Sequence, residues 1–377
     1  MSDKPSPVNP DRSVPWNGLP LLPVDKELYY TVDIVEHLAD ARTSLARLQG
    51  RSAAIPNQGV LINSISLQEA KASSAIENIF TTDDELYKAY SEQDSGEPQH
   101  GAPKEILRYR EALWTGHEYM HNKDGFDTEY FIRIFREIKE TSEGIRPPAS
   151  PIIIRQGGSG FNAGKTIYTP PRGEGIIEKK LDNLIEFIND DKKYLVDPIL
   201  KMAMAHYQFE AIHPFRDGNG RTGRIFNIHY LTHKGLLDSP ILFMSRYIMD
   251  NKDDYYSCLS GVSQRGNWKD WIRYMLKAVE VTSNITYLKI NDIISAKESI
   301  QKAIETDTDI RMPGQLTEMI FTQPFTKVKH LTDKKLYAEN TARQHLKTLC
   351  DMGILEMRTI SGKHYYLNLE LYRILSE

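Results

Sequence analysis

The chain has 377 residues, of which 40% are hydrophobic, and a formal net charge of -4. It is long enough for two or three folding units and carries no global basic field for bulk nucleic acid. No run reaches the roughly 18 apolar residues of a spanning helix, which sets a membrane partner aside, and two distant cysteines, Cys258 and Cys350, read as ordinary buried thiols of a cytoplasmic protein.

Six prolines fall within the first 24 residues and no apolar h-region accompanies them. This arm is no secretory signal, and it is expected to be either disordered or laid in extended form over the body. Apolar residues at helical spacing predict helices over 33–48 and 61–79, followed by a polar loop over 91–103. Further helices are expected over 104–121 and 128–142, the latter capped by Asp127 or Thr128. The texture then changes: β-type runs at 151–155 and 166–169 flank the glycine-rich QGGSGFNAGK, which predicts a hairpin with a long loop. Helices resume over 176–189, 198–211, 220–234, 253–260 and 268–299. Beyond Pro313, short helices over 315–321, 326–331 and 339–352 precede a hairpin with Ser361-Gly362 at its tip, the pattern of a winged helix. The expected fold is mainly α. It divides into a proline-rich arm (1–30), an N-terminal helical region (31–103), a central domain (104–282), a connecting helix (283–312) and a winged helix (313–377).

Two motif matches are weighed and set aside. His117-Glu118-Tyr119-Met120-His121 has the HExxH spacing of a zinc site, but no third histidine follows at the expected offset, and the helix stops near Gly125. A solvent-facing helix end is the better reading. Ser159 to Thr166 is one residue short of a P-loop, and a strand followed by Pro170-Pro171 stands where that loop needs a helix.

The stretch HPFRDGNGRTGR, His213 to Arg224, concentrates three glycines, three arginines, an aspartate and a histidine in twelve residues. Pro214 keeps His213 out of the α conformation, so the motif is a helix-loop-helix turn. Gly218, Asn219 and Gly220 put unpaired N–H groups and a positive macrodipole at the start of the second helix. Arg221 and Arg224, three apart, add guanidinium groups suited to phosphate, which makes a polyphosphate cradle. Asp217 is placed to hold a divalent cation that bridges phosphates, and His213 is the candidate general base.

This stretch resembles the signature of the Fic family, HPFx(D/E)GN(G/K)RxxR, at every fixed position, and the likeness covers roughly 61–281. The resemblance implies a Fic helical core whose β-hairpin, the flap, aligns a target segment by strand addition. It implies transfer of AMP from ATP, with Mg²⁺ on Asp217, to a Ser, Thr or Tyr hydroxyl deprotonated by His213. Gly218 to Gly220 would form the anion hole, Asn219 and Arg221 would hold phosphates, and Arg224 would hold the γ-phosphate. Thr222 and Gly223 would line the same nucleotide site, and Phe215 would anchor the loop. Tyr255 and Tyr256 resemble an aromatic pair bordering the adenine pocket. Core packing is the alternative for them, and Ser263-Gln264 stands where some relatives have an adenine-contacting Asn.

Ser73-Ser74-Ala75-Ile76-Glu77-Asn78 fits (S/T)xxxE(G/N) and resembles the family's inhibitory helix. Glu77 paired with Arg224 would keep that arginine from the γ-phosphate and slow the resting enzyme. The expected partners are a target protein presenting a hydroxyl along the flap and a second copy of the chain. Two other readings stay open: a Fic enzyme that removes AMP or transfers another group, and a nucleotide-sensing DNA-binding regulator. The second draws on residues 326–365, where eight Lys/Arg stand against four Asp/Glu. A winged helix also docks proteins, so its partner is DNA or protein.

Overall fold

The computed structural model describes residues 8–9, 11–53, 58–92, 100–155, 164–360 and 362–376. The proline-rich arm, from Val8 to the short turn Lys26–Leu28, lies over the body, with Trp16, Leu19 and Leu22 buried beneath it. Proline supplies no N–H, so other donors tie the arm down. Trp16 N–H donates to Thr169 O (3.0 Å), Lys180 Nζ to Leu19 O (2.6 Å) and Gln208 Nε2 to Pro20 O (2.8 Å).

The body is built from α1 (Val32–Ala53), α2 (Gln58–Ile76), α3 (Asp83–Glu92), α4 (Gly101–His121) and α5 (Thr128–Lys139). The antiparallel pair β1 (Ile154–Arg155) and β2 (Thr166–Tyr168) comes next. Then follow α6 (Ile176–Asn189), α7 (Pro198–Ile212), α8 (Asn219–His233), α9 (Met244–Asp250), α10 (Lys252–Arg265) and the 40-residue α11 (Trp268–Asp307). Helix α7 forms the centre: from Ile199 to Ile212 every side chain but one is buried, Lys201, His206 and Gln208 included, as a helix packed on all sides requires. Asp197 caps its start by accepting from Ile199 N–H (2.8 Å), with Pro198 in the first turn. Trp271 of α11, fully buried, donates its indole N–H to Ala203 O (2.8 Å) and so closes the core over α7. No helix among the described residues is long and apolar enough to cross a membrane.

The C-terminal unit contains α12 (Pro313–Phe321), β3 (Phe325–Thr326), α13 (Val328–Asp333), α14 (Glu339–Asp351), β4 (Leu355–Ile360), β5 (Lys363–Asn368) and α15 (Leu369–Ser376). Its three strands pair in the order β3-β5-β4, giving the three helices and hairpin of a winged helix. The hairpin rests on α3, where Arg358 meets Asp84 (3.1 Å) and Tyr365 donates to Glu92.

Several expectations are corrected. The helix expected from Thr326 begins only at Val328, because Phe325 and Thr326, an aromatic and a β-branched residue, pair with Leu367 and Tyr366 instead. Ser91 and Glu92, expected in a loop, close α3, and α4 starts at Gly101. Glu77, expected within a helix, lies in the turn after α2. His117, expected to face solvent, is half-buried with its ring 6.3 Å from that of His229. Both cysteines are half-buried rather than buried. The glycine-rich hairpin loop over 156–163, with most of the P-loop look-alike, lies outside the described residues, as do 93–99 and the hairpin tip Ser361.

Candidate active site

Helices α7 and α8 meet at the motif. Helix α7 ends at His213, which takes the left-handed conformation (φ 51°) with Pro214 behind it, a stop signal written into the sequence. Helix α8 starts from Gly218, also left-handed (φ 75°), where a side chain would be strained. The loop between them is pinned from within: Phe215 N–H donates to Asn219 Oδ1 and Asn219 Nδ2 to Phe215 O, each 2.9 Å. Phe215 stacks on Phe135 with ring centroids 4.2 Å apart, so the loop is anchored in the core.

Arg146 fixes the loop from outside. Its buried guanidinium donates to His213 O (2.7 Å), Ile212 O (3.3 Å) and Pro171 O (2.6 Å), joining the motif to the base of the β1-β2 hairpin. His213 Nδ1 lies 3.3 Å from Glu210 O, so an Nδ1–H tautomer leaves Nε2 with its lone pair. Enclosure, helped by the Arg146 charge, pushes the His213 pKa down to about 4, and the ring is neutral at pH 7.

Asp217 is exposed at the mouth of the cradle. Lys139 Nζ donates to its Oδ2 (2.7 Å) and Gly218 N–H to its Oδ1 (2.6 Å). Against the pull of partial burial, these partners hold the carboxyl below its usual range. Thr222 Oγ1 donates to Gly218 O (2.9 Å) and tightens the first turn of α8.

Arg224 is buried, and three acceptors meet it from the end of α2. Its Nε donates to Ser73 Oγ (2.8 Å), and its second terminal nitrogen to Ser73 O (3.0 Å) and Glu77 Oε1 (2.9 Å). Burial works to raise the Glu77 pKa, but the charge and hydrogen bond of Arg224, with Arg221 behind them, hold it below normal. A Cβ built on Gly220 would lie 2.5 Å from Glu77 Oε1, so the carboxylate sits directly over the first turn of α8. The anion position is thus filled by the chain itself.

Other expected site residues are distributed differently. Asn219 braces the loop with both side-chain polar atoms. Arg221 is buried and paired with Glu105 (3.3 Å). Tyr255 belongs to the core, its hydroxyl 2.8 Å from His206 Nε2, whereas Tyr256 is 43% exposed beside it and is the ring open to a ligand. Among the described residues no three His, Cys, Asp or Glu side chains group as a metal site.

Two anchoring residues escaped the sequence reading. Glu69, two turns before Glu77 on α2, accepts from Ser245 N–H (2.8 Å), Ser245 Oγ and Tyr109 Oη (3.1 Å); burial pushes its pKa up to about 7. Its i, i+4, i+8 spacing with Ser73 and Glu77 was the available signal. Arg146 stands alone among prolines in sequence and gave none.

Three family profiles match the chain in succession: Fic/DOC family N-terminal over 35–118, Fic/DOC family over 125–231, and the C-terminal domain of SoFic-like protein adenylyltransferases over 297–371. The chain belongs to the Fic/DOC family. Among curated Fic relatives, protein adenylyltransferase fic-1 of Caenorhabditis elegans is 30% identical over 115 residues, 30% of this chain and 21% of that protein. Protein adenylyltransferase Fic of Aedes aegypti is 29% identical over 118 residues, 31% of this chain and 22% of that protein. The matched region thus spans about a fifth of these relatives' length. A crystal structure of a Fic family protein from Desulfovibrio desulfuricans shares the fold over 90% of this chain and 96% of its own, with a TM-score of 0.56 at 18% identity. Fic-1 of C. elegans matches over 69% of this chain and 74% of that one, with a TM-score of 0.50 at 18% identity.

Proposed function

We propose that this Fic/DOC protein is a protein adenylyltransferase that moves AMP from ATP to a hydroxyl of a target protein and of its own chain, and that Glu77 keeps the resting enzyme slow. One observation carries the reading: a neutral imidazole, a helix-start anion cradle, and an arginine already engaged by a carboxylate meet at the α7-α8 turn. The names of the curated relatives support the same reaction.

In this mechanism His213 Nε2 takes the proton of a Ser, Thr or Tyr hydroxyl, whose oxygen attacks the α-phosphorus as the bond to the β-phosphate breaks. The N–H groups at the start of α8 receive the charge that develops on the phosphates, and Arg224 clamps the γ-phosphate. Anionic phosphates beside His213 raise its proton affinity from the resting value. Asp217 would hold Mg²⁺ once Lys139 gives up its Oδ2: the side chain is 69% exposed, and one carboxylate completed by phosphate oxygens is a donor set that ion accepts. Bound there, Mg²⁺ would neutralise charge on the leaving pyrophosphate. Tyr256 would border the base, and the β1-β2 hairpin would present the target segment. Glu77 opposes all of this by holding Arg224 and filling the space over Gly220.

Labelled ATP tests the reading. Glu77→Gly is expected to raise label on the protein, and His213→Ala to abolish it while leaving ATP binding largely intact. Equal labelling by wild type and Glu77→Gly would sink the inhibitory role, and mass spectrometry of the adduct separates AMP from another group. A second reading, DNA binding by the winged helix, draws on the exposed Asn340, Arg343, Gln344 and Lys347 of α14. A gel shift of the full chain that vanishes steeply with salt would support it.

A further inference from the structure

Glu210 is the one residue from Ile199 to Ile212 of α7 that is not fully buried. Its Oε1 is nonetheless shut off from solvent and has no hydrogen-bond partner among the described residues. Buried carboxyl oxygens are rarely left so. The potential donors around it are committed elsewhere: His206 Nε2 lies 2.8 Å from Tyr255 Oη and His206 Nδ1 3.2 Å from Gly223 O, while Arg224 is bonded to Ser73 and Glu77. A Cβ on Gly223 would fall 2.6 Å from Glu210 Oε1, so only glycine at that position leaves the carboxyl its place.

Glu210 therefore stands one helical turn before His213, against Gly223 in the first turns of α8, and near enough to Tyr255 and Tyr256 that its ionised form would raise the pKa of both. Gly223 belongs to the helix whose start forms the phosphate cradle, and neighbouring His206 bonds Tyr255, whose ring lies 5.2 Å from that of the exposed Tyr256. The part of a nucleotide that joins phosphates to base is its sugar. We propose that Glu210 reads the ribose of the bound nucleotide, its carboxyl pairing with the 2′- or 3′-hydroxyl; this rests on the nucleotide reading above. Burial holds the Glu210 pKa up to about 8, with Arg224 pulling it down and Glu77 pushing it up. At pH 7 the group is a neutral acid with one donor and one acceptor, which a ribose hydroxyl complements in either sense. The orphaned oxygen of the resting protein acquires its partner when the nucleotide enters.

The test is calorimetric binding of ATP, 2′-deoxy-ATP and 3′-deoxy-ATP to the full chain, in Glu77→Gly and in the same protein with Glu210→Ala or Glu210→Gln. The Glu77→Gly protein should prefer ATP over at least one deoxy analogue by about tenfold, one hydrogen bond's worth. Glu210→Ala should bring that ratio to one, whereas Glu210→Gln, which keeps a donor and an acceptor, should preserve it. A ratio unchanged in Glu210→Ala, no preference in the parent, or a preference lost in a Glu210→Gln protein that melts like the parent would each overturn the proposal. Failure of every variant to bind ATP would overturn the nucleotide reading itself.

Discussion

The grip on Arg224 is divided between two residues, and Ser73→Ala tests the division. The change removes the acceptor of the Nε donor and leaves the Ser73 carbonyl and Glu77 in place. A hydrogen bond to a charged, buried group contributes about 1.5 kcal/mol, so the released state gains roughly tenfold in population. Glu77→Gly removes the ion pair as well as a hydrogen bond, but the Glu77 side chain is 36% exposed and solvent screens it. About 2 kcal/mol, or roughly 30-fold, is then expected for that change. Both residues hold one guanidinium, so the double variant should fall well short of the product of the two factors. Initial rates of label transfer from ATP, measured in the four proteins of this cycle, give the numbers. Were Ser73→Ala to match wild type while Glu77→Gly is activated, the shared grip would be refuted and Glu77 alone would be the lock.

Two further outcomes are expected. Glu69 has its pKa raised to about 7, so the native state keeps a proton that the unfolded chain loses near 4.5, and the contribution of this group to stability falls as pH rises from about 4.5 through 7. Denaturation midpoints of Glu69→Gln relative to wild type should therefore rise from pH 5 to pH 8.5, and a constant difference would contradict this account. Arg146→Ala strips three acceptors, among them His213 O, of their donor. It should lower the labelling rate in a Glu77→Gly background far more than it lowers ATP affinity, and a purely structural role would reduce both alike.

Where pattern and spacing carry information, the sequence reads well. Helix α6 matches its expected span, and α7 and α8 end within one residue of theirs, because Asp197-Pro198, His213-Pro214 and Gly218 are local stop and start signals. Helices α3, α9 and α15 were missed, being 10, 7 and 8 residues long and too short for an apolar period to stand out. The candidate site could be placed at the motif because its residues are contiguous, and the Glu77–Arg224 pair could be foreseen because a second short motif names Glu77. Glu69, Lys139, Arg146 and Ser245 were not, since their contacts join segments far apart in the chain and each looks ordinary in its own neighbourhood. Asn219 and Arg221 show what residue type leaves out: in the resting chain Asn219 braces the loop and one terminal nitrogen of Arg221 pairs with Glu105.

The hairpin of the winged helix has a bearing on what that unit can meet. Arg358 and Tyr365 are tied to Asp84 and Glu92 at the two ends of α3, and α3 is joined to α2 by Lys71 with Asp83 (2.6 Å) and by Gln68 with Tyr87. A duplex or protein reaching for this hairpin must compete with the chain's own carboxylates, and the contest is felt one helix away from Ser73 and Glu77. By reciprocity, any ligand that prefers the undocked hairpin prefers the form in which α3 is let go, while a ligand confined to the exposed face of α14 leaves the balance where it was.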